Sequence, residues 1–76
     1  MNSVLLCLLV ELAHGEVDAV SASTLFQQYP KTEKSERDLY VLRRLGYISL
    51  LSADDEIQVI GVNQSAIDYC KNHRAR

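Results

Sequence analysis

Residues 32–50 read TEKSERDLYVLRRLGYISL, and the reading of this stretch decides the fold. It has the pattern of a helix that ends at a glycine and passes directly into a strand. Ser35, Leu39, Leu42 and Gly46 recur at spacings of 4, 3 and 4, so they share one helical side. At about 100° per residue, Lys34, Arg37, Val41 and Arg44 gather on the opposite side. One face can therefore bury while the other presents cations. Gly46 stands where a helix is left through a left-handed residue, a conformation that costs glycine no Cβ clash. Tyr47-Ile48-Ser49-Leu50 then has strand composition.

On the N-terminal side, Asn2 or Ser3 is placed to cap a helix over about 3–13. Its stripe is Val4, Leu5, Leu8, Leu9 and Leu12; Leu6, Cys7 and Val10 make the other side apolar too, which predicts a helix covered on several faces. His14-Gly15 ends it. Residues 16–20 form a short connector, with extended character at Val17 or Val20. Ser21 or Ser23 caps a second helix, about 22–29, with Leu25, Phe26 and Tyr29 inward and Pro30 as its stop. Thr32 or Ser35 caps the third, about 33–45, whose first turn holds Glu33 and Glu36.

On the C-terminal side, Ser52-Ala53-Asp54-Asp55-Glu56 is a polar turn, and Ile57–Val62 a second, β-branched strand. The short link makes a hairpin over about 47–62. Asn63 is placed to cap a last helix, about 64–72, with Ala66, Ile67, Tyr69 and Cys70 apolar. Lys71, His73, Arg74 and Arg76 lie toward its C-terminal end, where the helix dipole favours cations.

With 76 residues the chain makes one domain with one small core and little room for a deep cleft. The net charge of −2 is unevenly spread: residues 1–30 hold Glu11, Glu16 and Asp18 and no Lys or Arg. Residues 31–44 hold Lys31, Lys34, Arg37, Arg43 and Arg44 against Glu33, Glu36 and Asp38; five cations less three acids leaves +2. An acidic chain with a local basic face is a poor non-specific nucleic-acid binder but can carry a small cationic reading surface.

Two cysteines, Cys7 and Cys70, make no disulfide framework, so reduced thiols in a cytoplasmic protein are expected. The apolar run Val4–Val10 lacks a cationic lead and a cleavage site, and Glu11 interrupts it. It is also far short of the ~20 apolar residues of a membrane span. Cys7, Glu11 and His14 share a helical stripe, but Cys7 and His14 lie ~10.5 Å apart along the axis, too far for one ion. Cys70 and His73, joined by His14 or Cys7 through tertiary contact, have the ligand types of zinc without the spacing of a zinc motif. The sequence has no phosphate-binding glycine loop, no paired-carboxylate signature and no Ser/His/Asp pattern. An enzyme, a cofactor and a metal are therefore not expected.

Leu39, the run Leu42-Arg43-Arg44-Leu45-Gly46-Tyr47-Ile48, the strand Ile57–Val62, and Val62–Ile67 leading into a capped last helix carry a resemblance. In element order the chain resembles the winged helix-turn-helix domain, as found in small bacterial and phage-borne proteins. The resemblance implies an α+β, mainly α fold: a three-helix core, a two-stranded wing and a C-terminal helix. It also implies a DNA-binding, regulatory protein with helix 33–45 in the major groove of double-stranded DNA. By position the DNA-facing residues are then Lys34, Arg37, Tyr40, Val41 and Arg44, with Lys31 beside them. Arg37 would contact guanine, and Lys34 and Arg44 phosphates. A homodimer would double the contact; helix 1 or the last helix is the usual dimer surface in the family.

Two features depart from the family. Glu33 and Glu36 open the recognition helix, and Asp54-Asp55-Glu56 makes the wing tip acidic where a backbone-tracking wing needs cations. The alternative is a winged-helix protein-interaction module, with the acidic wing and the Tyr40–Val41 spot as contact surface. The basic helix could also be a solvated face, with Glu33 and Arg37 paired at i,i+4.

Overall fold

Three side-chain oxygens start three of the helices. In the computed structural model, which describes residues 1–74 and side chains through Asn72, the Asn2 amide oxygen accepts from the Leu5 amide at 3.0 Å. The Ser21 hydroxyl accepts from the Thr24 amide at 3.2 Å, and the Thr32 hydroxyl from the Ser35 amide at 3.0 Å. Each pairs an amide that the first helical turn leaves without a partner. The element order is α1 (Ser3–Leu12), β1 (Ala19–Ser21), α2 (Ala22–Phe26), α3 (Glu33–Arg44), β2 (Ile48–Ala53), β3 (Glu56–Val62) and α4 (Gln64–Arg74). The fold is α+β, about half helical, with four helices and one three-stranded antiparallel sheet.

The third strand corrects the expectation of a two-stranded hairpin. β1 pairs antiparallel with β3, giving the order β1-β3-β2. Val20 stands opposite Ile60, and both are buried. The Val62 amide donates to the Asp18 carbonyl at 2.8 Å, just ahead of β1. A strand of three residues is too short to show an alternation, so its neighbours define it.

α2 is shorter than the sequence suggests. It stops at Phe26, and the amides of Gln27, Gln28 and Tyr29 bond back to Ser23 and Leu25 as turn residues. Pro30 disfavours helix at Tyr29. α1 also differs from expectation: Leu5, Leu6, Leu9, Val10 and Ala13 are buried, but its outer side is open. Val4 is 76 % exposed there, and Leu8 and Leu12 are half-buried.

The β2–β3 hairpin, the wing of the expectation above, turns at Asp54 and Asp55, with φ of 53° and 64°. Two consecutive left-handed residues match the twist of a two-residue hairpin. Opposite the single step from Leu51 to Ser52, β3 runs from Val59 to Ile57, so Gln58 is an extra, bulged residue. The bulge shifts the strand's alternation and lets Ile57 and Ile60, three apart, both face the core. That core closes between α1, Leu25 of α2, Leu39 and Leu42 of α3, the inner sheet face, and Ala66, Ile67 and Cys70 of α4.

Cys7 and Cys70 are not free thiols, as was expected, but a disulfide joining α1 to α4, with Cα atoms 5.6 Å apart. The sequence separation of 63 hides this, because only the packed fold lays the two helices side by side. No helix among the described residues is long and apolar enough to cross a membrane. The cations expected at His73, Arg74 and Arg76 lie outside the described side chains, as does His73 as a metal ligand.

Candidate nucleic-acid interface

α3 is fixed at both ends. At its start, Thr32 and Ser35 form a reciprocal cap: the Ser35 amide donates to the Thr32 hydroxyl, and the Thr32 amide donates to the Ser35 hydroxyl at 2.8 Å. The Ser35 hydroxyl then donates to the Thr32 carbonyl at 2.9 Å, which explains how this buried serine, 5 % exposed, is satisfied. At its end, Gly46 has φ 88°. The Tyr47 amide reaches the Leu42 carbonyl and the Gly46 amide the Arg43 carbonyl, a paired closure that needs a left-handed residue at 46. The Gly46 carbonyl in turn accepts from Asn63 Nδ2 at 3.0 Å and Ser65 Oγ at 2.9 Å. Asn63, expected to cap α4, stands at its start, where its carbonyl accepts from the Ala66 amide at 3.1 Å, and its side-chain nitrogen ties α4 to the exit of α3.

Between these ends, Ser35, Leu39 and Leu42 face the core. The helical period turns Arg37 and Arg44 directly outward, with Tyr40 and Val41 exposed beside them. The two arginines lie seven residues apart, or ~10.5 Å along the axis. Neither has an ion-pair partner among the described residues, and the Glu33–Arg37 pair does not form. Arg43, which the sequence reading left out of the surface, lies over the Tyr40 ring at 5.1 Å to its centroid. The i,i+3 spacing of Tyr40 and Arg43 on one helix is the signal that makes that neighbour legible.

The two expected lysines are already engaged. Lys34 Nζ binds Asp38 Oδ2 at 3.2 Å. Lys31 Nζ binds Glu56 Oε1 of the wing at 3.1 Å and lies 5.8 Å from the Phe26 ring centroid. Both pairs are solvent-exposed on the lysine side, so each contributes at most about 1 kcal/mol and can open toward another anion. Of the six residues expected to form the face, Arg37, Tyr40, Val41 and Arg44 come together on α3. Lys34 sits on its flank, and Lys31 belongs to the α2–wing side.

A polar knot missed by the sequence reading sits beside this face. Asn2 Nδ2 donates to the Tyr29 hydroxyl and to Asp38 Oδ2, both at 2.9 Å, so one side chain caps α1 and ties it to the turn after α2 and to α3. The capping role of Asn2 is readable locally; its partners 27 and 36 residues away are not. The Asn2 bond, aided by Lys34, holds the Asp38 carboxyl below its ordinary value against the opposing pull of partial burial. A lowered carboxylate pKa adds stability that is present above the ordinary value of 3.8 and is lost as pH falls through the folded-state value. Asn2→Ser keeps a capping oxygen and removes the amide donors. We expect it to be less stable than the parent at pH 7, with the gap narrowing as the pH is lowered through the Asp38 titration. Urea denaturation at stepped pH checks this, and a gap constant down to pH ~2 would contradict it.

Two shallow clefts flank the face. One, of ≈ 260 Å³, is lined by Tyr29, Pro30, Thr32, Lys34, Ser35 and Asp38. The other, of ≈ 300 Å³, lies between α2 and the wing around Phe26, Lys31 and Glu56. Among the described residues no three His, Cys, Asp or Glu side chains gather to hold a metal ion. The arrangement offers cations, a ring and an apolar spot on one rigid helix. No protein-family model matches the chain, and no curated protein or solved structure matches it either.

Proposed function

We propose that the chain is a small winged-helix-type DNA-binding domain that inserts α3 into the major groove. The observation that carries this is the pair Arg37 and Arg44, charged, outward and without an ion-pair partner among the described residues, on the second helix of the α2–α3 pair. The element order and the sheet order β1-β3-β2, in which β1 separates the first two helices, favour the same reading. Arg37 contacts base edges, Arg44 and Lys34 contact phosphates, and Lys31 adds charge if it leaves Glu56. A regulator of this kind works on duplex DNA as a homodimer, because one module of this size makes few phosphate contacts.

The test is fluorescence anisotropy of a labelled random-sequence duplex titrated with protein at low and at near-physiological salt. The expected result is binding that weakens steeply with salt. Arg37→Ala with Arg44→Ala removes it at near-physiological salt and lowers the salt slope by about 1, the share of the phosphate-contacting Arg44. No binding at low salt overturns the reading.

A second reading is favoured by two observations. The wing tip is acidic, and the Cys7–Cys70 bond suits an oxidising setting better than the cytosol in which a DNA regulator works. In that reading the domain binds a protein through the wing and the Tyr40–Val41 spot. The same arginine changes then leave binding intact, while Asp54→Lys with Asp55→Lys abolishes it.

A further inference from the structure

β2 is an edge strand, because the order β1-β3-β2 leaves one of its sides without a strand neighbour. The Tyr47 carbonyl accepts from the Asn63 amide at 3.1 Å, so residue 47 faces β3. Strand alternation turns Ser49 and Leu51 the same way and points the backbone groups of Ile48, Leu50 and Ser52 to the open side. Edges of this kind are ordinarily guarded by a charge, a proline or a bulge on the edge strand itself. Residues 48–53, ISLLSA, carry no charge and no proline, and the bulged residue, Gln58, lies on β3 instead. Leu51 is 64 % exposed beside this open edge.

The charges stand at the two ends of β2, and their signs are opposite. Arg43 and Arg44 close α3 just before the strand, and Asp54 and Asp55 form the turn just after it. None of the four has an ion-pair partner among the described residues, whereas the neighbouring Glu56 is held by Lys31.

We propose that β2 pairs antiparallel with β2 of a second copy of the chain, about a two-fold axis at Leu50, joining two three-stranded sheets into one. Leu50 then faces Leu50 of the second copy, and Ile48 faces Ser52, so the outward amides and carbonyls of all three find partners. In this register Asp54 lies opposite Gly46 of the second copy and Asp55 opposite Leu45. That places both acids within arginine reach of the second copy's Arg43 and Arg44, and the two-fold repeats the contact. Parallel pairing would set acid against acid, and an unrelated peptide has no reason to match the charges at both ends. The strand is therefore complementary to itself. This also gives the acidic wing tip a cation to face, in place of the phosphates it would repel. The inference does not rest on DNA binding: it engages Arg44, which that reading places on phosphates, and leaves Arg37 outside the contact.

Sedimentation equilibrium from about 10 µM to about 1 mM tests it, a range suited to a contact one strand wide. The expected result is a concentration-dependent rise toward twice the chain mass, weakened by salt. Asp54→Lys with Asp55→Lys, and separately Arg43→Glu with Arg44→Glu, each weaken self-association at least tenfold. An equimolar mixture of the two variants restores it, because every tip then meets an end of opposite sign. Circular dichroism confirms folding of each. Should the lysine variant not fold, the glutamate variant, altered only at an exposed helix end, must still lose association. A parent chain monomeric throughout, or association unaffected by the glutamate variant or not restored by mixing, overturns the proposal.

Discussion

Reduction of the Cys7–Cys70 bond lowers the unfolding free energy by about 4 kcal/mol. The bond joins residues separated by 63 positions, and a cross-link of that span removes loop-closure freedom from the unfolded chain worth about 4 kcal/mol in the chain-entropy treatment. A domain of this size has a total stability of roughly 4–11 kcal/mol, so the bond supplies a large part of it. At 4–8 °C per kcal/mol, the melting temperature falls by about 15–30 °C. The fold itself persists, because α4 keeps other anchors: Ala66 and Ile67 are buried, and Asn63 and Ser65 hold the Gly46 carbonyl. Thermal unfolding with and without dithiothreitol measures the effect. Cys7→Ala with Cys70→Ala should melt like the reduced protein and ignore the reductant. Oxidised and reduced melts that coincide within a degree or two would show that the cross-link does not stabilise the chain. By the same figures the reduced domain retains roughly 0–7 kcal/mol, and an oxidising setting restores the full margin.

Leu39→Ala costs about 3 kcal/mol. Leu39 is fully buried on the inner face of α3, between Ser35 and Leu42, and it joins the helix to the core shared with α1 and the sheet. Truncating a leucine at such a site removes transfer free energy and leaves a cavity that the close-packed surroundings fill only in part. Val41→Ala, two residues along and on the outward side, should stay within about 0.5 kcal/mol of the parent. Urea denaturation of the two variants separates the buried from the presenting face of the same helix. Equal effects would mean that the face assignment is wrong. The pair also guards the DNA experiment: under the proposed reading Leu39→Ala weakens DNA binding only through unfolding, whereas Arg37→Ala with Arg44→Ala weakens it in a protein that melts normally.

α3 was the most legible part of the molecule. Ser35, Leu39 and Leu42 at helical spacing point inward as read, Thr32 caps the helix, and Gly46 ends it with a left-handed residue. These features depend on residues within a few positions of one another, so a linear pattern carries them. The outward cluster of Arg37, Tyr40, Val41 and Arg44 follows from the same period. What could not be read is which cations remain available. Lys31 looks equivalent to Arg37 in the sequence, yet Glu56, 25 residues away in the β2–β3 hairpin, holds it. The Lys34–Asp38 pair, at i,i+4, lies within the helical period.

The amino-acid sequence by itself determined the helices, their caps, the hairpin and the basic face of α3, because periodicity, capping chemistry and glycine conformation act within one or two turns of chain. Tertiary structure alone decided the rest: that Ala19–Ser21 becomes a third strand on β3, that Cys7 meets Cys70, that Asn2 ties α1 to Asp38, and that β2 is left with an open edge. Each of these joins segments far apart in sequence, and each is selected by the packing of the whole core, not by any local preference of the residues that meet.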